Sequence, residues 1–293
     1  MATGNMTVTT AAEHIDEVWV EGVIRANEFA TVIAPAVDRS WDFVGHGDVY
    51  HKVRIPNIET QAKSASTALD AYVYTDTKQD ITVNQHWACA IKHENIVGIL
   101  SRNDLKSEMQ KKMGYALARK VDTLLAALAA SFSQIVGTLG VECTYDNLLR
   151  AVQYLEDAGY DMSNDVTWFF SPAQKAGLGK MDTFINADFV GSEAAKTAHE
   201  RATYGIFQGA PIKISNLVTA PAAGQHENFL LQKETVALIT AQEPKTHLDT
   251  IALDLADVVV QDTVFGYSEV TKYSESPGNI TATDEGACLI RSV

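Results

Sequence analysis

The stretch YGIFQGAPIKISNLV, residues 204–218, decides how this chain is read. Its glycines, Gly205 and Gly209, either cradle a phosphate or shape a scaffold. A phosphate cradle needs closely spaced glycines between a strand and a helix, so that backbone N–H groups converge on the anion. Here Pro211 follows, then the alternating Ile212, Lys213, Ile214 and Ser215, which read as a strand. Neither a Walker-type GxxxxGKS/T loop nor GxGxxG occurs in the chain. The two glycines are therefore read as turn formers around Ile206 and Phe207, and the segment as architecture.

Upstream of this stretch lies a helix–strand–helix pattern. Thr144 caps a helix carrying Leu148, Leu149, Val152 and Leu155 that stops at Gly159. VTWFF (166–170) reads as a buried strand, and Ser171 and Pro172 form the cap and first turn of a further short helix. Gly137 and Gly140 separate this unit from a long amphipathic pattern over 101–133. There Ser101 is the expected N-cap, and Leu105, Met109, Met113, Ala116, Val121, Leu124, Leu128 and Phe132 recur on one side. Such a helix would run about 50 Å at 1.5 Å per residue.

Still earlier, DVYHKVRIP (48–56) and DITVNQHWACAIKHE (80–94) read as two long strands around a polar tip rich in Ser, Thr and Ala. An isolated hairpin is marginal in water, so this one is expected to lie on a neighbouring copy. The leading residues form an arm with large apolar groups at Trp19, Trp41 and Phe43, expected to pack on something distant or on another chain. Downstream, 228–242, 250–273 and 287–292 read as strands, the last tying the C-terminal residues into a sheet.

Composition excludes several classes. With 293 residues, 46% hydrophobic and 20% charged, the chain describes a folded protein. Its longest apolar run, Leu124 to Ala130, is far short of the roughly 20 residues a bilayer span needs. No basic segment followed by an apolar one opens the chain, so no secretory signal is expected. Cys89, Cys143 and Cys288 are too far apart for a CxxC pair or zinc knuckle and read as thiols of a reducing cytosol. A formal charge of −14 argues against a surface built to grip nucleic acid. Positive charge is concentrated between 101 and 122, where Arg102, Lys106, Lys111, Lys112, Arg119 and Lys120 face three acids.

Catalytic patterns are weak. The eight histidines never form HExxH or HxH; His93 beside Glu94 is read as a solvated surface histidine, and His46 with Asp48 lacks a third ligand. Ser171 is accounted for by capping, and Asp161, Asp165 and Asp182 by an acidic surface. Tyr72, Tyr74 and Trp87 are read as packing residues of the extended hairpin. Lys63 and Lys78 offer only raw material for an isopeptide link.

In order, these elements resemble the major capsid proteins of tailed bacteriophages with the HK97-type fold. The residues that carry the resemblance are Tyr204 to Pro211, the strand Phe229 to Ala241, Phe265-Gly266 and the terminal GACLI strand. The resemblance implies an α+β HK97-type major capsid fold. Its parts would be an N-terminal arm (1–47), an extended two-stranded E-loop (48–94), a peripheral domain with the long spine helix (95–139), an axial domain (140–227), and return strands completing the peripheral domain (228–293). It implies a shell subunit, not an enzyme, that self-assembles into pentamers and hexamers around double-stranded DNA without sequence-specific binding. Expected partners are a portal protein and scaffolding and decoration proteins, with no membrane, cofactor or metal; the expected location is the virion capsid, assembled in the host cytoplasm. Intersubunit contacts are expected at Trp19, Trp41, Phe43, Tyr72, Tyr74, Trp87, Arg102, Lys111 and Lys112, and hinges or turns at Gly137, Gly140, Gly205 and Gly209. The same fold is similar to that of encapsulin nanocompartments, which leaves a cargo-storing shell as the alternative; an acidic hydrolase with dispersed catalytic residues is the reading from another class.

Overall fold

The computed structural model describes residues 31–40, 47–54, 60–69, 77–94, 96, 105–181, 184, 205–273, 282–283 and 286–293. At its centre is a six-stranded sheet buried on both faces. It comprises β4 (Gln134–Gly137), β5 (Val166–Phe170), β6 (Ile206–Phe207), β7 (Ala210–Ile214), β8 (His226–Gln232) and β13 (Ala287–Ser292), in the order β4-β13-β8-β5-β7-β6. All five residues of β5 are buried, and strand alternation divides them between two cores. Trp168 and Phe170 face a core with Leu148, Leu155 and Leu178, below the helices α2 (Tyr145–Asp157) and α3 (Pro172–Leu178). Phe169 faces the opposite way, stacked on Phe229 at 4.8 Å between ring centroids. Both helices carry the caps read from sequence: Thr144 accepts from Asn147 N–H, and Ser171 from Gln174 N–H.

Residues 205–218 enter this sheet through a hairpin with a two-residue turn. Phe207 pairs with Ala210, and the linking Gln208 and Gly209 both have positive φ, 49° and 83°, the backbone of a type I′ turn. The turn carries Phe207 into the core beside Trp168, Tyr145 and Phe184, where its carbonyl accepts from Trp168 Nε1 at 3.1 Å.

The second module is a long sheet, β3 (Gln85–Glu94), β10 (Ala256–Glu269) and β9 (Val236–Ile251), in the order β3-β10-β9. The spine helix α1 (Leu105–Leu128) lies on it and continues as a 3-10 turn, Ala129–Ser131. Its 24 described residues span about 36 Å; the α-helix ends at Leu128, ahead of the expected Ser133, and Ser101 lies outside the described residues. Met113, Leu117, Leu125, Ala126, Ala129 and Phe132 are buried; Ala116, expected on that face, is exposed.

Two further expectations are corrected. Residues 80–94 are two strands: β2 (Thr77–Thr82) pairs with β1 (Val49–Arg54) in a hairpin, and after Val83 and Asn84 the chain enters β3 of the long sheet. The break between 242 and 250 does not exist, since β9 runs through it as an exposed edge strand. Pro244 falls there beside a register shift between Asp262 and Val264, where a missing N–H is tolerated. Strands β8 and β13 occupy the middle of the six-stranded sheet.

The described part of the leading arm also lies on its own subunit. Ile33 and Val37 are each 1% exposed within the core that contains Leu125, Ala126 and Phe265. Asp38 forms a parallel bridge to Ala237.

Candidate assembly surfaces

Outward projection is the feature that the described fold offers. The hairpin β1–β2 is rooted by Ile81, fully buried against Ala237 and Ile239. It crosses the long sheet at Gly266, where a Cβ would lie 2.5 Å from the Thr82 carbonyl oxygen, so only glycine permits the approach. Beyond the root, residues 60–69 are all exposed. Thr67 N–H donates to Ser64 O across the turn, and Lys63 Nζ reaches the carbonyls of Ser64 and Thr67. Lys63 is thus engaged by its own tip. Lys78 pairs with Asp80, which also bonds His51; hydrogen bonds from His51 foremost, and from Lys78, hold the Asp80 carboxyl below its ordinary range.

A second projection is the far end of β9–β10. Leu253 is 97% exposed, with Leu255 and Leu248 also open to solvent. Leu255 sits at φ +47°, a conformation that costs a branched L-residue about 1 kcal/mol or more. Asp254, in the same turn, pairs with Lys92 of β3. These leucines were not singled out from sequence; the available signal was two leucines flanking an acid in the turn-like ALDLAD segment.

Among the residues expected at subunit contacts, Trp87 is 37% exposed, with Lys120 Nζ 4.0 Å above its ring. Lys111 pairs with Glu108 at 3.2 Å along α1, and Lys112 is exposed on the same helix. Trp19, Trp41, Phe43, Tyr72, Tyr74 and Arg102 lie outside the described residues. Gly137, Gly140, Gly205 and Gly209 all have positive φ, between 61° and 83°. At Gly137 a Cβ would also lie 2.4 Å from the Arg291 carbonyl oxygen.

The candidates for chemistry disperse. Asp161 is turned onto Ser163, whose N–H and hydroxyl both donate to it and lower its carboxyl's pKa; Asp182 and His46 lie outside the described residues. His93, read as a solvated histidine, is 9% exposed, packed with Met109, Met113 and Val259 between α1 and the sheet. Burial pushes the Cys143 thiol up to about 11 and the Cys288 thiol up to about 12. Among the described residues, no group of three or more His, Cys, Asp or Glu is placed to share a metal ion. A cavity of about 390 Å³ between α2 and α3 is lined by Cys143, Thr144, Tyr145, Gln174 and Met181, with the Lys180–Glu142 pair at its edge. On the long sheet, Asp262 accepts from Gln242 and bonds His86 and His247 at 3.0 and 3.1 Å, joining all three strands. No helix among the described residues is long and apolar enough to cross a membrane.

No protein-family model matches the sequence, and no curated protein matches it. Solved structures do. One from Mycobacterium phage Che8 is 16% identical, with 94% of this chain and 96% of that one covered at a TM-score of 0.76. The capsid structure of cyanophage P-SCSP1u is 14% identical, with 96% and 94% covered at 0.75. The mature capsid of bacteriophage PhiM1 is 13% identical, with 94% and 90% covered at 0.69. The chain therefore has the α+β HK97-type capsid fold over nearly its whole length.

Proposed function

We propose that this protein is the major shell subunit of a tailed-phage capsid. Copies would associate into pentamers and hexamers, close an icosahedral shell and enclose double-stranded DNA, with a portal protein and scaffolding or decoration proteins as partners. The observation that carries the reading is the match to phage capsid structures over at least nine tenths of both chains. It is supported by the two projections, whose exposed tips bury little on their own subunit. Obligate interfaces bury thousands of square ångströms, and reaching elements of this kind supply such area. The acidic balance suits a container whose contents must not adhere, since like charge repels a phosphate backbone.

The test is imaging and sedimentation of the purified protein, followed by nuclease treatment of particles recovered from infected cells. Closed shells, rings or tubes from the pure protein, and nuclease-protected double-stranded DNA in the particles, are expected. A stable monomer at every concentration, with or without assembly partners, would overturn the shell reading; shells that hold proteins in place of DNA would overturn the genome container.

A further inference from the structure

Asp122 stands in the C-terminal third of α1, on the side that faces the core, and is 0% exposed. A carboxylate in that position needs compensation, because an unpaired buried charge is strongly unfavourable. The compensation comes from the leading arm. Val32 and Ile33 N–H donate to Oδ2 at 2.8 and 3.1 Å, and Ala34 N–H donates to Oδ1 at 2.9 Å. The three donors open the 3-10 turn Ala34–Ala36, where backbone N–H groups have no partner within the turn, so Asp122 acts as a cap supplied from 88 to 90 residues away.

Two further contacts set the geometry of this junction. Past the turn, Val37 is buried, and Asp38 N–H donates to Val236 O while Leu238 N–H donates to Asp38 O, adding the arm to the edge of β9. From the six-stranded sheet, Lys213 extends over the Phe169 ring with Nζ 5.9 Å from its centroid. Burial lowers the Lys213 pKa, and the Asp122 charge opposes that shift, which places the ammonium within the carboxylate's field. One side chain thereby joins the spine helix to the arm, with a lysine of the central sheet in its field.

We propose that Asp122 is the fastening point of the leading arm. It holds residues 31–40 on the subunit that carries them, both free and assembled. The assembled half of this statement rests on the shell reading; the free-subunit half does not, so failure of one is distinguishable from failure of the other.

The test is hydrogen exchange on the full chain. In the free wild-type subunit the amides of 32–34 are expected to be protected. Asp122→Asn keeps the shape but presents an NH₂ group to donors, and should speed their exchange roughly tenfold or more. Peptides covering 166–170 should not change, which separates loss of the anchor from general loosening. Equal protection of 32–34 in the variant and the wild type would overturn the proposal. Should that variant fail to fold, the Asp38→Cys/Ala237→Cys pair retains Asp122 and reads the same docking across the bridge. The expected result is one intrachain disulfide, migrating as a single chain, before and after assembly. A ladder of linked chains, or no bond, would contradict it.

Discussion

The six-stranded sheet and the projections are built from the same kind of strand but in opposite solvents. In β5 every side chain is buried; in β9 every residue from Glu243 to Thr250 is exposed. The first arrangement concentrates stability, since apolar area removed from water and aromatic contacts dominate folding energetics. The second concentrates reach, and its backbone is held by a ladder to β10 instead of by packing. Substitutions should therefore separate into those that unfold the subunit and those that spare it but impair assembly.

The sharpest separation is expected at Trp168. Replacing this fully buried residue with Ala removes its ring from the core and its Nε1 bond to Phe207, and should cost roughly 3–5 kcal/mol in denaturant titrations. Next comes Gly137→Ala, where positive φ and the Arg291 carbonyl both oppose a Cβ; about 1–3 kcal/mol of destabilisation is expected in the same assay. Thr144→Ala removes the α2 cap and should cost about 1 kcal/mol.

A smaller effect is expected at Asp262, whose carboxyl is held below its ordinary range by its hydrogen bond to His86 first, with Gln242 and His247 adding and desolvation opposing. A depressed folded pKa contributes stability above the unfolded value of about 3.9, lost as pH falls through the lower folded value. The difference in stability between the wild type and Asp262→Asn should therefore persist at pH 5 and above and shrink below about pH 4. A difference that grew on acidification would contradict the arrangement. At the other extreme, Leu253→Ser should leave subunit stability within about 0.5 kcal/mol of wild type while lowering the yield of shells by sedimentation. If it unfolded the subunit instead, the contrast between the two regions would fail.

Sequence legibility follows the same division. VTWFF, the caps at Thr144 and Ser171, and the turn at Gly209 were readable because each is a local device with a local signal. The strand through 243–249 was not, because an exposed edge shows no apolar alternation and contains Pro244. The break after Thr82 was hidden for a different reason: Ile81 and the residues from Gln85 onward continue a similar pattern while pairing with different partners. The central place of β13 depends on contacts with residues far away in sequence, as does the role of Asp122, which looks like any acid on a solvated helix face until residues 32–34 are placed against it. Of the expected contact residues, those among the described residues were chosen for being large or charged, whereas the large apolar side chain most exposed among the described residues, Leu253, lay in a turn.

In the proposed shell, the tip of the β1–β2 hairpin finds its partner only on another copy of the chain. Hydrogen exchange of residues 60–69, compared between free subunits and purified shells, tests this most directly. These amides should exchange rapidly in the subunit and become strongly protected in the shell, while 166–170 remain protected in both. Equally fast exchange at 60–69 in both states would contradict the account.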